Sequence, residues 1–301
     1  MTNRLAQPDF MWAFFGSFGR AMWRDRADGI QFDYSLWCEM TERMAEGGLN
    51  ALVIDLGEAL VYPSHRELAV KGSWEPERMV AEVTRLEKMG ILAIPKINFS
   101  TCHDAWLKDY AYCVSTPEYY AVCADVIRDV GQIFSKAPFL HLGFDEENWK
   151  EQKDYPHVVI RQGELWWHDI LWFFDQARAQ GFRPWIWSDS IWSHREEFLA
   201  RMPKDVLQSN WYYFTNFSDR NREAVPYKVL AEAGYDQVPC SSNYRVPRNC
   251  SLTVEHCRKV IPPETHRGFL HAPWGPTVEK NRNRILEGVA LLSEERKKWR
   301  M

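Results

Sequence analysis

Short apolar runs alternate with amphipathic segments along the whole of this chain. Apolar runs of about four to eight residues are typical of buried strands, whereas apolar positions at helical spacing predict helices with one buried face. The predicted strands are residues 10–15, 51–56, 92–97, 139–144, 184–187, 206–211, 236–239 and 268–272. The predicted helices are residues 34–46, 76–89, 117–134, 165–180, 195–200, 227–233, 254–259 and 280–298.

Proline and glycine mark several of the predicted helix ends. Pro76 and Pro117 suit the first helical turn, where the N–H that proline lacks has no partner in any case. Gly90 and Gly181 each follow a predicted helix and directly precede a strand, as glycines that end helices do.

The eight alternations over 301 residues predict a single (β/α)8 TIM barrel rather than a doubly wound sheet. Because no Ser/Gly-rich linker, charge block or low-complexity segment interrupts them, we expect residues 1–301 to form one domain. The first predicted strand is not followed by a GxGxxG or GxxxxGKS/T motif, which removes the most common reason to expect a nucleotide-binding sheet.

Composition argues against several classes of function. A net charge of -4 and a pI of about 6.2 disfavour nucleic-acid and membrane-surface binding, and no apolar run is long enough to span a membrane. The apolar N-terminal patch has no cleavable small-residue site, and seven cysteines include no CxxC pair, so we expect reduced thiols and a cytoplasmic protein. Nine histidines include no HxH or HExxH pattern, so we expect no metal and no other cofactor.

Three consecutive carboxylates, Asp145, Glu146 and Glu147, follow the fourth predicted strand. Acids packed together at a strand end disfavour one another's ionised forms, so one pKa should rise. Such an arrangement holds one carboxyl protonated as a general acid beside another that stays charged. Taken alone, the run is equally compatible with a solvated acidic loop.

In a barrel of this kind, chemistry lies at the C-terminal ends of the strands. Acidic, amide and aromatic residues follow almost every predicted strand, which favours one shared site. Those residues are Asp55, Glu58, Asn98, His103, Asp145, Glu146, Trp187, Asp189, Asn210, Trp211, Tyr212, Tyr213, Asn243, Tyr244, Trp274 and Glu279. The 15 tryptophans are weakly indicative of a sugar ligand, because flat indole faces suit the apolar faces of sugar rings.

The order of these motifs resembles glycoside hydrolase family 20, the β-N-acetylhexosaminidases. The family's strand-4 pattern H-x-G-G-D-E is similar to His141-Leu-Gly-Phe-Asp-Glu146. Its strand-3 pattern I-P-E-I-D, with a later G-H, is similar to Ile94-Pro-Lys-Ile-Asn98 with His103 downstream.

Two further motifs continue the resemblance through the rest of the chain. The family's W-D/S-D/E at strand 5 is similar to Trp187-Ser-Asp189, and its late tryptophan followed by a glutamate is similar to Trp274 with Glu279. The resemblance implies a retaining exo-glycosidase without an enzymic nucleophile, in which the 2-acetamido oxygen of the substrate attacks the anomeric carbon.

The resemblance also implies a role for each catalytic candidate. Glu146 is expected to be the general acid/base, and Asp145 to orient the acetamido group and stabilise the oxazolinium-like intermediate. Because successive strand residues point to opposite faces, the strand must give way to a loop before both acids can share a site. Asp55 and His103 resemble the pair that relays hydrogen bonds to the acid/base.

The remaining candidates are expected to bind the carbohydrate substrate. Trp187 and Trp274 resemble walls of the acetamido pocket, with a place in the core as the alternative for each. Tyr244 resembles the tyrosine that binds the acetamide carbonyl, with Tyr212 and Tyr213 as rivals. Arg20 resembles an arginine that holds sugar hydroxyls. The other expected contacts to the sugar are Asp189, Trp211 and Glu279.

Departures from the family pattern leave the sugar less certain than the reaction. Lys96 and Asn98 replace acids of the strand-3 pattern, Phe144 replaces a glycine, and Arg245 and Val246 stand where an aspartate is usual. Two alternatives therefore stay open. One is a glycosidase that uses two protein carboxylates, Glu146 with Asp189 or Glu58, and the other is a non-catalytic sugar-binding barrel. The identity of the sugar and the oligomeric state also stay open.

Overall fold

Eight parallel strands surrounded by helices form a (β/α)8 barrel in the computed structural model, which describes residues 4–19 and 28–299. The predicted fold class is therefore confirmed. The strands are β1 (Met11–Ser17), β2 (Ala51–Asp55), β3 (Leu92–Lys96), β4 (Phe139–His141), β5 (Arg183–Trp187), β6 (Leu207–Ser209), β7 (Cys240–Ser241) and β8 (Gly268–His271).

The strands pair in the order β6-β5-β4-β3-β2-β1-β8-β7. The seam between β6 and β7 is closed by two isolated parallel bridges, Gln208 to Gln237 and Trp211 to Cys240. In the register of the ladders, Lys96 lies opposite Asp55 on one side and His141 on the other. The polar residues at the ends of β2, β3 and β4 are thus neighbours at one end of the barrel.

Nine α-helices in the described residues connect or follow the strands. They are α1 (Tyr34–Gly47), α2 (Pro76–Lys88), α3 (Pro117–Ile133), α4 (Trp149–Gln152), α5 (Gly163–Ala179), α6 (Arg195–Arg201), α7 (Pro226–Glu232), α8 (Asn249–Val260) and α9 (Arg282–Trp299). Pro76 and Pro117 begin helices as predicted, and Gly90 and Gly181 follow helices with φ of 75° and 83°. None of the described helices is both long and apolar enough to cross a membrane.

Every strand differs from its predicted bounds by at least one residue, and β4, β6 and β7 are shortened or displaced. β4 ends at His141 rather than at residue 144, because Gly143 and Phe144 have φ of 76° and 70°, which no strand accommodates. β6 is likewise shorter than predicted. The strand predicted at 236–239 was misplaced, since β7 is Cys240–Ser241 and only a bridge at Gln237 lies in the predicted range. The short helix α4 was not predicted at all.

Alternating strand residues fill the inside of the barrel with apolar side chains. Phe15, Ile94 and Trp185 belong to this inner cluster, while a larger cluster of buried residues packs the strands against the helices. Because the side-chain period of a strand is two, Asp55 and Lys96 follow Val53 and Ile94 on the inner face. Asp55 and Lys96 therefore lie at the C-terminal end of the barrel interior.

Candidate active site

A cavity of about 1160 Å³ opens at the C-terminal ends of β3 to β8. Most of the described candidates line it together: His103, Asp145, Glu146, Trp187, Asp189, Trp211, Tyr213, Tyr244 and Trp274. A second, much smaller cavity shares Asn98 and His103 with the first and is lined by Asp55 and Glu58.

The chain bends sharply after β4, and this bend brings two successive acids to one place. Gly143, Phe144 and Glu146 all have positive φ, of 76°, 70° and 59°. Such backbone is costly for residues other than glycine and persists where the surroundings enforce it. A Cβ at Gly143 would lie only 1.9 Å from Oδ1 of Asn98, so glycine is required there. The bend replaces the alternation of a strand, as the sharing of one site by Asp145 and Glu146 requires.

The imidazole of His103 lies between the two acids. Its Nε2 is 3.3 Å from Oδ2 of Asp145 and 3.4 Å from Oε2 of Glu146. Burial alone would lower the pKa of His103, but the charges and hydrogen bonds of Asp145 and Glu146 outweigh it and raise that pKa to about 10. At neutral pH the site therefore holds an imidazolium between two carboxyl groups.

Asn98 holds the other oxygen of Asp145. Its Nδ2 donates a hydrogen bond of 2.7 Å to Oδ1 of Asp145. Its own Oδ1 accepts from the backbone N–H groups of Ser100 and Phe144, at 3.0 and 3.3 Å, so the amide is fixed with its N–H₂ towards the acid. A carboxylate at position 98, as in the strand-3 pattern of the family, could not donate this hydrogen bond. The amide of Asn98 can, and it thereby holds Asp145.

A buried ion pair lies beside these acids. Nζ of Lys96 is 2.9 Å from Oδ1 of Asp55, and the two side chains are only 1% and 9% exposed. Burial opposes ionisation of Asp145, but His103, Lys96 and Asn98 together hold its pKa well below the usual range. Asp145 is therefore an anion. Asp55 forms its ion pair with Lys96, a pairing that the sequence analysis did not predict.

The third acid of the run has a different environment. The carboxylate of Glu147 accepts hydrogen bonds from Nε and Nη2 of Arg161 at 2.8 and 2.7 Å. It also accepts one from the backbone N–H of Arg161 at 2.8 Å. Arg161 also reaches Asp169 at 3.1 Å, and all three side chains are buried. This network ties the loop behind Glu146 to helix α5. Nothing local in the sequence singles out Arg161 as the partner.

Asp189, after β5, is joined to the same loop. Its Oδ2 accepts a hydrogen bond of 3.0 Å from the backbone N–H of Glu146, and its Oδ1 accepts one of 3.4 Å from Nε1 of Trp211. Burial, with the charges of Asp145 and Glu146, raises the pKa of Asp189 to about 8. This raised pKa belongs to Asp189, which lies outside the acidic run for which the sequence predicted one, and it makes Asp189 mostly protonated at neutral pH.

Aromatic rings form a wall of the cavity. Trp187 is buried with its ring centroid 5.7 Å from that of Trp274, and Tyr213 lies 6.0 Å from Trp274 and stacks on Trp211 at 5.0 Å. Among the described residues, the buried Nε1–H of Trp187 has no hydrogen-bond partner. A buried donor without an acceptor is unfavourable, so an acceptor on a bound molecule would be stabilised there.

The three candidate tyrosines are separated by the structure. Tyr213 and Tyr244 line the cavity, Tyr213 in the aromatic wall and Tyr244 at the exposed mouth. Tyr212 is buried elsewhere, and its hydroxyl accepts a hydrogen bond of 3.3 Å from the backbone N–H of Asn216. Tyr213 and Tyr244 therefore remain as candidates, and Tyr212 does not.

One of the expected sugar contacts among the described residues does not lie in the site. Glu279 is exposed at the start of the segment leading into α9, where its carboxylate lies 3.2 Å from Arg282, and it does not line the cavity. The expectation for Glu279 is therefore corrected, because the chain turns outwards after Trp274. Arg20 lies outside the described residues.

One group of side chains has the spacing of metal ligands. Potential ligand atoms of His103, Asp145 and Glu146 lie within 4.8 Å of one another. A metal would need the neutral imidazole, however, and the pKa of His103 is raised to about 10 by these same acids. In its protonated form, His103 is a hydrogen-bond donor to these acids rather than a metal ligand.

Comparisons with known proteins place the fold. No protein-family model matches the chain, and no curated protein matches it in sequence. The solved β-N-acetylhexosaminidase from Bacteroides fragilis is 14% identical, with a TM-score of 0.62, covering 93% of this chain and 65% of that one. A GH20 exo β-N-acetylglucosaminidase from Vibrio harveyi is 14% identical, with a TM-score of 0.64, covering 93% and 54%.

Dispersin B is 11% identical with a TM-score of 0.62, and the match covers 94% of this chain and 98% of dispersin B. The chain thus spans less than two thirds of the first two proteins but nearly all of the third. At these identities the likeness concerns the fold. The chain has the barrel fold of the GH20 β-N-acetylhexosaminidases.

Proposed function

We propose that the protein is a retaining exo-glycosidase that removes terminal N-acetyl-hexosamine by substrate-assisted catalysis. The observation that carries the proposal is the pair Asp145 and Glu146, adjacent in sequence and both within 3.4 Å of one imidazolium nitrogen. The pair faces a cavity large enough for a sugar, in a fold shared with β-N-acetylhexosaminidases.

In the first step, the acetamido oxygen of the substrate attacks the anomeric carbon as the bond to the leaving-group oxygen breaks. Glu146, which is partly exposed to the cavity, gives its proton to that departing oxygen. Positive charge develops on the new oxazolinium ring, and the anion of Asp145 stabilises it and accepts the acetamido N–H. Asn98 and His103 each use one acceptor site of the Asp145 carboxylate, so about two of its four sites are left to accept the acetamido N–H.

In the second step, a water molecule attacks the anomeric carbon from the side that the leaving group vacated. Glu146, now ionised, takes a proton from this water, and the acetamido oxygen leaves the anomeric carbon to restore the amide. Two inversions at one carbon give net retention of configuration.

His103 supports the ionised form of Glu146 that exists between the two steps. Its Nε2 lies 3.4 Å from Oε2 of Glu146, so the imidazolium can donate a hydrogen bond to that carboxylate. His103, Asp145 and Glu146 thus form one set of side chains around this nitrogen. Asp55 acts on this set through Lys96, whose charge favours the ionised form of Asp145.

The aromatic wall suits the acetamido group. Trp187, Trp274 and Tyr213 offer apolar faces to its methyl, and the unpaired Nε1–H of Trp187 offers a hydrogen bond to a substrate oxygen.

A nucleophile from the protein is less well supported. Asp189 has a pKa raised to about 8, so at neutral pH it is a weak nucleophile, and both its oxygens already accept hydrogen bonds. Glu58 lines the small cavity rather than the large one. The oxygen of the substrate is therefore the better candidate.

The assignment of Glu146 is tested by Glu146→Gln, assayed on glycosides with good and poor leaving groups. We expect turnover of an ordinary N-acetyl-hexosaminide to fall by roughly 10²–10⁴-fold, and much less for a very acidic leaving group, which needs little protonation. Glu264→Gln is the matched control, because Glu264 is exposed just before β8, at the opposite end of the barrel. Near-normal turnover by Glu146→Gln on ordinary glycosides would refute the role.

A further inference from the structure

The mouth of the cavity carries three exposed aromatic side chains. Trp149, Phe214 and Tyr244 are 63%, 51% and 42% exposed, and all three line the same cavity. Trp149 is the most exposed large apolar side chain of the described residues. Single exposed aromatics are ordinary, but three around one opening form a concentrated apolar surface that is suited to a ligand.

The three rings follow three different strands at the C-terminal end of the barrel. Trp149 follows β4 and begins α4, only three residues after Glu146, while Phe214 follows β6 and Tyr244 follows β7. The side chain of Asn148 caps α4 by accepting from the backbone N–H of Glu151 at 3.2 Å, which fixes the start of the helix that carries Trp149. Trp149 and the proposed acid/base therefore line the same cavity from the connection between β4 and α4.

The other two rings are also held in place. Arg245 and Arg284 lie against the ring of Tyr244, with guanidinium carbons 5.1 and 5.2 Å from its centroid. Nδ2 of Asn249 donates to the carbonyl oxygens of both Tyr212 and Phe214 at 2.8 Å, which joins the Phe214 loop to helix α8. Rings presented on fixed backbone lose little conformational freedom when a ligand stacks on them.

The cavity is also larger than a single sugar needs. Its volume of about 1160 Å³ exceeds the roughly 300–1,000 Å³ that encloses a drug-sized ligand, so one hexosamine beside Asp145 leaves most of it free. The free part holds hydrogen-bonding side chains among the aromatics, including His194, Arg222 and Glu223. Flat apolar rings interleaved with polar groups of both charges suit a neutral, hydroxyl-rich ligand.

We propose that Trp149, Phe214 and Tyr244 form a platform for sugar rings on the leaving-group side of the scissile bond. The substrate is then an oligosaccharide that ends in N-acetyl-hexosamine, rather than a simple glycoside. The proposal rests on the proposed function for the position of the scissile bond, because Glu146, which protonates the leaving group, lies three residues before Trp149.

Binding to the Glu146→Gln protein tests the platform without turnover. The probes are β-linked neutral trisaccharides ending in N-acetylglucosamine or N-acetylgalactosamine, each compared with its free monosaccharide by calorimetry. We expect a trisaccharide to bind more tightly than its monosaccharide. Adding Trp149→Ala or Phe214→Ala should weaken trisaccharide binding by about 2- to 10-fold each, as the loss of one aromatic contact does, and leave monosaccharide binding unchanged.

Tyr112→Ala is the matched control. Tyr112 is 54% exposed and does not line the cavity, so its removal should change neither affinity. Equal affinity of the trisaccharides and monosaccharides, or equal effects of Trp149→Ala and Tyr112→Ala, would overturn the platform.

The two proposals fail in different ways. If the wild-type protein hydrolyses no N-acetyl-hexosaminide but binds trisaccharides through Trp149, the proposed function falls, and the platform stands only as a surface that binds sugar rings. If hydrolysis is efficient but chain length and Trp149 make no difference, the platform alone falls.

Discussion

The ion pair between Lys96 and Asp55 makes Lys96→Met the most instructive substitution for stability. The methionine keeps most of the aliphatic volume but removes the charge 2.9 Å from the Asp55 carboxylate. Breaking a buried pair from one side leaves an uncompensated charge and costs about 3–5 kcal/mol. Replacing both partners by neutral side chains of similar size is far milder, so Lys96→Met with Asp55→Asn should recover most of that loss.

Urea unfolding at neutral pH measures the free energies of unfolding of the single and double variants. Lys228→Met is the matched control, because Lys228 and Glu232 are both exposed and 3.8 Å apart on α7, and such pairs contribute little. We expect the control to lie within about 0.5 kcal/mol of wild type. The reasoning is wrong if Lys96→Met is no worse than Lys228→Met, or if the double variant is no more stable than Lys96→Met.

Three more substitutions probe the surroundings of the acids. Arg161→Met should lower the free energy of unfolding by about 3–5 kcal/mol, because it leaves Glu147 buried without its partner; a small shift in thermal midpoint would contradict this. Asn98→Asp should lower kcat/KM by about 10-fold or more through loss of the donor to Asp145, which kinetics on folded protein would check. His103 has a pKa raised from 6.5 to about 10, so its stabilising effect is complete below pH 6.5 and disappears as the pH rises through about 10. The difference in free energy of unfolding between wild type and His103→Gln should therefore become smaller as the pH rises from 6.5 to about 10. A difference that grows with pH would contradict this reasoning.

The fold could be predicted because strands buried on both faces are apolar throughout their length. That pattern located seven of the eight strands, and it failed at β7, where the ladder at the barrel seam breaks into isolated bridges. The shortness of β4 was not predictable from apolarity, since Phe144 is buried and apolar yet has left-handed backbone. That residues 1–301 form a single domain stays a prediction.

The part of the candidate site that could be predicted from the sequence is the part formed by residues that are neighbours in the chain. Asp145 and Glu146 are neighbours, so their shared site needed only a bend after β4. The pairing of Lys96 with Asp55 was not predictable, because it depends on the register between β2 and β3 rather than on either residue alone. Glu279 shows the opposite error, in which a matching residue type lies on a segment that leads away from the cavity.

The most direct test of the central claim, that the substrate supplies its own nucleophile, compares sugars with and without the acetamido group. The measurement is kcat/KM for nitrophenyl β-N-acetyl-glucosaminide and galactosaminide against the matching plain hexosides, which share the leaving group. The account predicts cleavage of the N-acetyl sugars and almost none of the hexosides, because without the acetamido oxygen no group attacks the anomeric carbon. Equal activity on both kinds of sugar would contradict it and would point to a protein carboxylate as the nucleophile.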